Sequence, residues 1–149
     1  MTFLPYPRRD AIKNYFPMPN EIFSMDICAG EIALYAYLMY RENRQTYQCW
    51  PSYRTIGSAL KMSKNTVKKY VRSLEEKGFI WTEHTKIIKR NGEVRNGNLL
   101  FTICPMHEPI QQLRNRTWKE VEREVARIKL ERKQAARKAW ISEHFSTSR

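Results

Sequence analysis

Amide and basic side chains recur on one face of a predicted helix that spans residues 64 to 77. The apolar side chains of this segment share one face, since residues turn by ~100° along a helix; they are Val67, Tyr70, Val71 and Leu74. The opposite face carries one amide and three cations, Asn65, Lys68, Lys69 and Arg72. A carboxamide can bond the edge of adenine, and Lys or Arg can contact guanine or phosphate. Taken alone, this face is equally consistent with a solvated basic surface.

The helix that carries this face is predicted to be the second of a closely spaced pair. Ser52 can cap a first helix over residues 53–60, because its hydroxyl can accept from a free amide of the first turn. A turn at residues 61–63 follows, and Ser63 can cap the second helix in the same way. Gly78 suits the left-handed position just after that helix ends.

A basic hairpin is predicted directly after the helix pair. Two β-rich runs, FIWTEHTKIIKR and EVRNGNLLFTI, flank an Asn-Gly pair that is typical of a tight hairpin turn. On the returning strand Leu99, Phe101 and Ile103 alternate, and we expect them to face the core. Four cations lie near the tip: Lys86, Lys89, Arg90 and Arg95. A basic hairpin beside a basic helix is not expected of a generic surface, so this order of elements favours contact with nucleic acid.

The remaining N-terminal segments are interpreted as support for these elements. Residues 1–28 hold four of the seven prolines and are predicted to form an extended arm. A helix over residues 29–42 is apolar on more than one face, which predicts a buried scaffold. Residues 45–51 are predicted to be a connecting loop in which Trp50 anchors the next helix. Gly57 inside that helix costs about 1 kcal/mol relative to Ala, which predicts a second helix crossing closely there.

Positive charge is concentrated away from the predicted scaffold. The 149 residues contain 27 Lys and Arg against 15 Asp and Glu, a formal net charge of +12. Residues 1–49 are neutral because five bases meet five acids, whereas residues 50–106 carry +7 and residues 107–149 carry +5. Such an excess favours a polyanionic partner, either nucleic acid or an anionic membrane surface.

Membrane insertion and a disulfide framework are both disfavoured by the sequence. The longest apolar run, residues 32–40, is far shorter than the ~20 residues that a membrane-spanning helix needs. Cys28, Cys49 and Cys104 are odd in number and lack any metal-binding spacing, so we expect three reduced thiols. A reducing cytoplasm is the location that fits these features.

The residue pattern does not support a catalytic function. Each of the five glycines falls at a predicted helix end, helix crossing or turn, so no glycine-rich phosphate loop remains. His84, His107 and His144 are isolated from one another in the sequence. A metal-dependent nuclease needs clustered carboxylates, and the basic residues 50–106 contain only four glutamates. We therefore expect no enzyme, no metal and no cofactor.

Residues 107–149 are predicted to form a basic helical extension, with one long helix over residues 118–141. Its apolar side chains follow a three-four spacing that Arg132 interrupts; they are Trp118, Val121, Val125, Ile128, Ala135 and Ala139. Three interpretations remain open. The helix can form a homodimer, pack back on the domain, or project into solvent and add phosphate contacts.

The run WPSYRTIGSALKMSKNTVKKYVRSLEEKGFI and the hairpin after it resemble a winged helix-turn-helix domain within residues 29–106. The run is similar to the plasmid, phage and mobile-element branch of replication initiators and small bacterial regulators. The resemblance implies an α+β, mainly α fold. It also implies that residues 64–77 form a recognition helix in the major groove of double-stranded DNA, braced by residues 53–60, with a wing at 86–95 on the adjacent backbone or minor groove.

Individual roles follow from the same resemblance. Asn65 is the candidate for bidentate readout of adenine. The other residues at the start of the recognition helix can approach phosphate or base edges; they are Ser63, Lys64 and Thr66. Backbone contacts are implied for Ser52, Tyr53, Arg54 and Thr55. We expect a sequence-specific DNA-binding protein that regulates transcription or assists replication of a bacterial mobile element; the alternatives are a winged helix that binds protein and a non-specific RNA binder.

Overall fold

Three helices and a small sheet precede one long helix in the computed structural model, which describes residues 16–145. The elements are α1 (Ala29–Arg41), β1 (Gln48–Cys49), α2 (Tyr53–Leu60), α3 (Lys64–Glu76), β2 (Ile80–Ile88), β3 (Val94–Ile103) and α4 (His107–Phe145). The chain divides into two compact units between Ile110 and Gln111. This architecture confirms the predicted mainly helical α+β winged helix-turn-helix fold with a long C-terminal helix. The predicted domain boundaries at residues 28 and 106 stay predictions.

The core lies where α1, α2 and α3 meet the sheet. From α3 it takes Val67, Val71 and Leu74, which are at most 3% exposed. The other elements contribute further apolar side chains that are also buried: Ile22, Leu34, Tyr35, Leu38, Cys49, Ile56, Phe79, Ile80, Phe101 and Ile103. Because the buried positions of α3 are three and four residues apart, its opposite side remains in water.

The sheet has the order β1-β3-β2, and both pairings are antiparallel. Phe101 and Ile103 of the central strand are buried and Leu99 packs against the same core, as the alternation predicts. The prediction of a plain loop over residues 45–51 was wrong at Gln48–Cys49, which pair with β3. Two residues are too few to produce a periodic signal, so only the partner strand reveals this one.

Trp50 does not anchor α2, because its side chain is 64% exposed. Its contribution to the fold is a backbone one. The carbonyl of Trp50 accepts a hydrogen bond from the Asn98 side-chain amide at 3.2 Å, which joins the start of α2 to β3. The prediction that Trp50 anchors the next helix was therefore wrong.

The end of α3 confirms the role predicted for Gly78. This glycine has φ = 81°, and its amide donates to the Glu75 carbonyl at 3.0 Å. The Phe79 amide reaches back to the Leu74 carbonyl at 2.9 Å, so the two bonds form a Schellman motif. The helix ends at Glu76, one residue earlier than predicted, with Lys77 as its cap.

Gly57 is required by the turn after α2 more than by a crossing helix. A Cβ at this position would lie 2.6 Å from the Met62 carbonyl oxygen. Only a shift of the backbone could relieve this overlap. The nearest atom of α3, a methyl of Val67, would be at 3.7 Å, an ordinary van der Waals distance. The predicted close crossing is therefore the minor part of the constraint.

The structure corrects both ends of the predicted organisation. In the predicted extended arm, Asn20–Ser24 form a 3-10 helix that buries Ile22; the predictions for residues 1–15 lie outside the described residues. The C-terminal helix begins at His107 rather than at residue 118. Pro109 does not break it, because an amide in the first turn has no intrahelical acceptor to lose.

A buried ion pair joins the start of α1 to the end of α3. The Lys77 ammonium lies 3.1 Å from both carboxylate oxygens of Glu31, whose side chain is 5% exposed. Burial alone would raise the pKa of Glu31. Hydrogen bonds from the Ser73 side chain and the Cys28 amide, together with Lys77, outweigh that effect and lower the pKa below its usual value of 4.5.

We expect Glu31→Gln to reduce the free energy of unfolding by about 2 kcal/mol at pH 7, because it removes the partner of a mostly buried ammonium. Since the folded-state pKa of Glu31 is lowered, its stabilisation is complete above pH 4.5 and is lost as pH falls through the folded value. Urea unfolding from pH 7 downwards should therefore show the two proteins converging below pH 4.5. The control is Glu21→Gln, which changes an exposed carboxylate of the 3-10 helix, and an equal loss in both variants would contradict this account.

Candidate nucleic-acid interface

The helices α2 and α3 begin with the same capping arrangement. The Ser52 hydroxyl accepts from the Thr55 amide at 3.0 Å, and the Ser63 hydroxyl accepts from the Thr66 amide at 3.1 Å. In each pair the two side-chain hydroxyls also lie 2.8 Å apart. These four residues were predicted to contact DNA, and the structure gives all four a role in holding the helix starts.

The start of α3 retains two backbone donors that its cap does not use. The cap takes the Thr66 amide through the Ser63 hydroxyl and the Val67 amide through the Ser63 carbonyl. The amides of Lys64 and Asn65 lie earlier in the first turn, where an α-helix leaves its N–H groups without intrahelical acceptors. This end of the helix therefore combines free donors with the positive end of the helix dipole, which favours an anion.

The exposed face of α3 carries the side chains that the sequence placed there. Asn65, Lys68, Lys69 and Arg72 are all exposed, whereas Tyr70 is half-buried beside the core. Burial of the opposite stripe leaves this amide and these cations on one water-facing side. Their contacts with bases or phosphate stay a prediction.

A groove lies between the helix pair and the hairpin, with a volume of about 430 Å³; we call it the helix–wing groove. Its lining residues come from α2 and its approach, from α3 and from both strands: Pro51, Ser52, Tyr53, Arg54, Lys64, Lys68, His84, Gly97, Asn98 and Leu99. The structure thus brings together five of the predicted contact residues, three of them cations. It adds His84 of β2, which the sequence reading treated as isolated.

A second groove of about 600 Å³ runs along α2 and the turn that follows it. Arg54 and Lys64 line this groove as well as the helix–wing groove, and Lys61 contributes a third cation. Lys61 has φ = 56°, a left-handed conformation that is uncommon for a residue with a side chain. From the sequence, Lys61 is predicted only to lie in the turn and not in the interface. Its position between two helices with capping serines is the feature that could have indicated the interface role.

Tyr53 lies close to charged side chains of α3. Burial raises the pKa of its hydroxyl, the Glu75 carboxylate raises it further, and Arg72 opposes the shift. The phenol therefore stays neutral and able to donate a hydrogen bond at pH 7.

Glu75 also ties α3 to the first strand of the hairpin. Its carboxylate accepts from the Thr82 amide at 3.0 Å and from the Thr82 hydroxyl at 2.7 Å. These two bonds fix the start of β2 against the end of α3.

The tip of the hairpin also carries a carboxylate, which forms ion pairs with two of the four predicted cations. Glu93 accepts from Arg95 at 2.9 Å and from Lys89 at 3.1 Å. Hydrogen bonds from Arg95 first, and then from Lys89, lower the pKa of Glu93. Lys86 and Arg90 are exposed and take part in no ion pair with the rest of residues 16–145.

Two classes of site are not found in the described part of the chain. No group of three or more His, Cys, Asp or Glu side chains is arranged to hold a metal ion among residues 16–145. Within the same residues, no helix combines the length and the apolar character needed to cross a membrane.

Because Ser63 caps α3, we expect Ser63→Ala to lower the free energy of unfolding by about 1 kcal/mol. Ser63→Asp should retain most of the stability, since a carboxylate also accepts from the Thr66 amide. Urea or thermal unfolding measures both changes. Ser58→Ala, an exposed change within α2, is the matched control and should cost nothing. A neutral Ser63→Ala variant would remove the capping role.

Comparison with known proteins agrees with this geometry. Residues 27–80 match a family described as a helix-turn-helix domain. No curated protein matches the sequence.

Several solved structures are similar to the chain. One, described as a possible transcriptional regulator from Methanosarcina mazei Go1, is 18% identical with a TM-score of 0.40, over 72% of this chain and 78% of that one. A MarR family transcription regulator is 13% identical with a TM-score of 0.42, over 85% and 79%. MepR, a transcription regulator of the Staphylococcus aureus multidrug efflux pump MepA, is 19% identical with a TM-score of 0.37, over 85% and 82%.

Given the family match and the observed elements, the chain carries a winged helix-turn-helix domain, with the β2–β3 hairpin as its wing.

Proposed function

We propose that this protein binds double-stranded DNA in a sequence-specific manner and acts as a transcription regulator or a replication-associated protein. The observation that carries the proposal is the helix–wing groove, where Arg54, Lys64 and Lys68 converge from two helices beside the wing. Three cations around one concave surface can follow a phosphate backbone. The exposed polar face of α3 stands next to them and supplies groups that can read bases.

In the proposed complex, α3 enters the major groove, which is wide enough to admit an α-helix. Asn65 reads adenine through its carboxamide, while Lys68, Lys69 and Arg72 contact guanine or phosphate. The support for this orientation is the burial of Val67, Val71 and Leu74 on the reverse side, which leaves one face free.

Backbone contacts come from α2, from the start of α3 and from the wing. Arg54 and the neutral Tyr53 hydroxyl donate to phosphates along the helix–wing groove. The free amides at the start of α3 add donors at the positive end of its dipole. On the wing, Lys86 and Arg90 make the principal contacts, because Lys89 and Arg95 share the Glu93 carboxylate.

We place this activity in the bacterial cytoplasm, in transcription or replication control of a mobile element. The sequence resemblance of residues 50–80 to such proteins supports the setting, and the helix-turn-helix match supports the DNA-binding role. The protein acts by occupying DNA and performs no chemistry of its own. No metal or cofactor enters this scheme.

The binding unit is proposed to be a homodimer joined through α4. The support is the exposed apolar stripe of this helix, in which Trp118, Val121 and Val125 are between 45% and 67% exposed. Two copies related by a two-fold axis would bind a DNA site with inverted symmetry.

We expect the affinity for DNA to fall steeply with salt, because binding releases counterions from phosphates. The double variant Lys64→Ala/Lys68→Ala should lower the slope of log K against log salt concentration by about 2, close to 0.9 for each lost contact. Fluorescence anisotropy over a salt series measures this slope.

Arg44→Ala removes one exposed cation that does not line the helix–wing groove, and it should leave the slope unchanged. A flat salt dependence of the unaltered protein would contradict the proposal in favour of a protein-binding module. Equal affinity for RNA of any sequence would favour the non-specific RNA binder.

Asn65→Ala should weaken binding to the preferred site by about 1–3 kcal/mol and relax the preference at one base pair. The preferred site comes from selection of bound sequences in a random DNA pool, which also reveals inverted symmetry. Arg54→Ala is the comparison, since loss of a phosphate contact weakens all sequences alike. Uniform loss on random and selected DNA for Asn65→Ala would contradict base readout.

A further inference from the structure

In the second compact unit the described residues, 111–145, all belong to α4, and its exposed side chains follow a heptad repeat. Starting at Trp118, mostly apolar residues recur at alternating spacings of three and four along α4 for three and a half heptads. The first positions, a, are Trp118, Val125, Arg132 and Ala139, and the fourth positions, d, are Val121, Ile128, Ala135 and Ser142. In the single chain this stripe remains open to water, since even Ile128 is 38% exposed.

Charged residues occupy most of the positions that flank this stripe. The e positions are Glu122, Lys129, Ala136 and Glu143, and the g positions are Thr117, Glu124, Glu131 and Lys138. In a two-stranded coiled coil these positions lie at the edge of the seam and set partner choice and orientation. The charges can therefore be compared for the two orientations that a second copy can adopt.

In a parallel, in-register pair, each g position faces the e position five residues later on the other chain. Glu124 then faces Lys129 of the partner subunit, and Lys138 faces Glu143 of the partner subunit. Arg132 packs beside Glu131 of the partner subunit, the g residue that precedes its own layer. Two-fold symmetry repeats each contact, so six attractive contacts form and no like charges face each other at the e and g positions. At the a position Arg132 does face Arg132 of the partner subunit, and Glu131 of each subunit offsets this like-charge pair.

In an antiparallel pair, g faces g and e faces e. The register that places Trp118 opposite Ser142, and so pairs the largest seam residue with a small one, brings Glu124 to Lys138. It also brings Lys129 opposite Lys129 of the partner subunit, and Glu131 opposite Glu131 of the partner subunit. Like charges in direct opposition disfavour this orientation.

Within one chain the same acids already lie along the edge of the stripe. Glu124 and Glu131 flank Arg127 at 2.7 and 3.7 Å, and Glu122 accepts from the Trp118 indole at 3.1 Å. Arg127 lies on the outer surface of the heptad and does not enter the seam.

We propose that α4 pairs with a second copy of this chain as a parallel, in-register two-stranded coiled coil. The inference deepens the homodimer of the proposed function and rests on it. Its strongest section is Trp118 to Ile128, because Ala135 and Ala139 bury little surface and Arg132 interrupts the apolar seam. Arg132 in turn acts as a register marker, since only the in-register parallel pair gives it Glu131 of the partner subunit on both sides.

The test uses two charge-reversed variants of the full chain, Glu124→Lys and Lys129→Glu. In a parallel pair each variant by itself places like charges together, so we expect its dimer dissociation constant to rise at least about tenfold, as like charges disfavour that pairing. An equimolar mixture should associate at least as tightly as the unaltered protein, because the new lysine of the first variant then meets the new glutamate of the second. Sedimentation equilibrium measures all three samples, and circular dichroism checks that helix content is unchanged.

An antiparallel pair predicts a different rescue. There Glu124→Lys is restored by Lys138→Glu in the same chain, and mixing with Lys129→Glu restores nothing. That result would overturn the parallel arrangement while keeping the dimer. A monomer at every concentration of the unaltered protein would overturn the dimer as well. The salt test of DNA binding is independent of both results, so loss of DNA binding with an intact dimer would reject the proposed function alone.

Discussion

Burial of one stripe of α3 is the constraint on which the rest of the domain depends. Val67, Val71 and Leu74 must reach the common core, and a helix that buries one side necessarily turns its other side to water. Both ends of α3 are then held by specific bonds. Ser63 caps its start, and Gly78 with Phe79 closes its end. The direction of the exposed amide and cations thus follows from core packing.

The wing is positioned by the same helix. Glu75 bonds Thr82 at the start of β2, and the Lys77–Glu31 pair joins the end of α3 to α1. These polar contacts connect three elements around one helix terminus. Since the Glu31 carboxylate lies in a mostly buried place, its bonds with Lys77 and the Cys28 amide must all be satisfied for the arrangement to be favourable. The helix–wing groove is consequently a product of the packing of α3, which makes its shape dependent on the carboxylates of Glu75 and Glu31.

Positive charge is distributed less evenly than the net value suggests. Around the helix–wing groove, Arg54, Lys64 and Lys68 are contributed by separate turns of two helices. At the wing tip, Glu93 offsets part of the charge of Lys89 and Arg95. Along α4 the cations alternate with glutamates, and this pattern of charges can set the orientation of a second copy of the helix. In the proposed scheme one basic composition therefore serves two purposes, contact with a polyanion in the first unit and selection of a partner in the second.

The helix pair, the capping serines, the glycine after α3 and the polar face of α3 could all be predicted from the sequence, because each depends on residues close together in the chain. Capping, turn formation and helical periodicity are local properties. Features that depend on distant residues became visible only in the folded chain. Strand β1 exists through its partner β3, His84 joins Lys64 and Lys68 through the fold of the hairpin, and Glu93 binds two cations at the wing tip. The exposure of Trp50 likewise depends on which residues pack around it. A two-residue strand, or a side chain that lines a groove, produces no periodic pattern in the sequence from which it could be predicted.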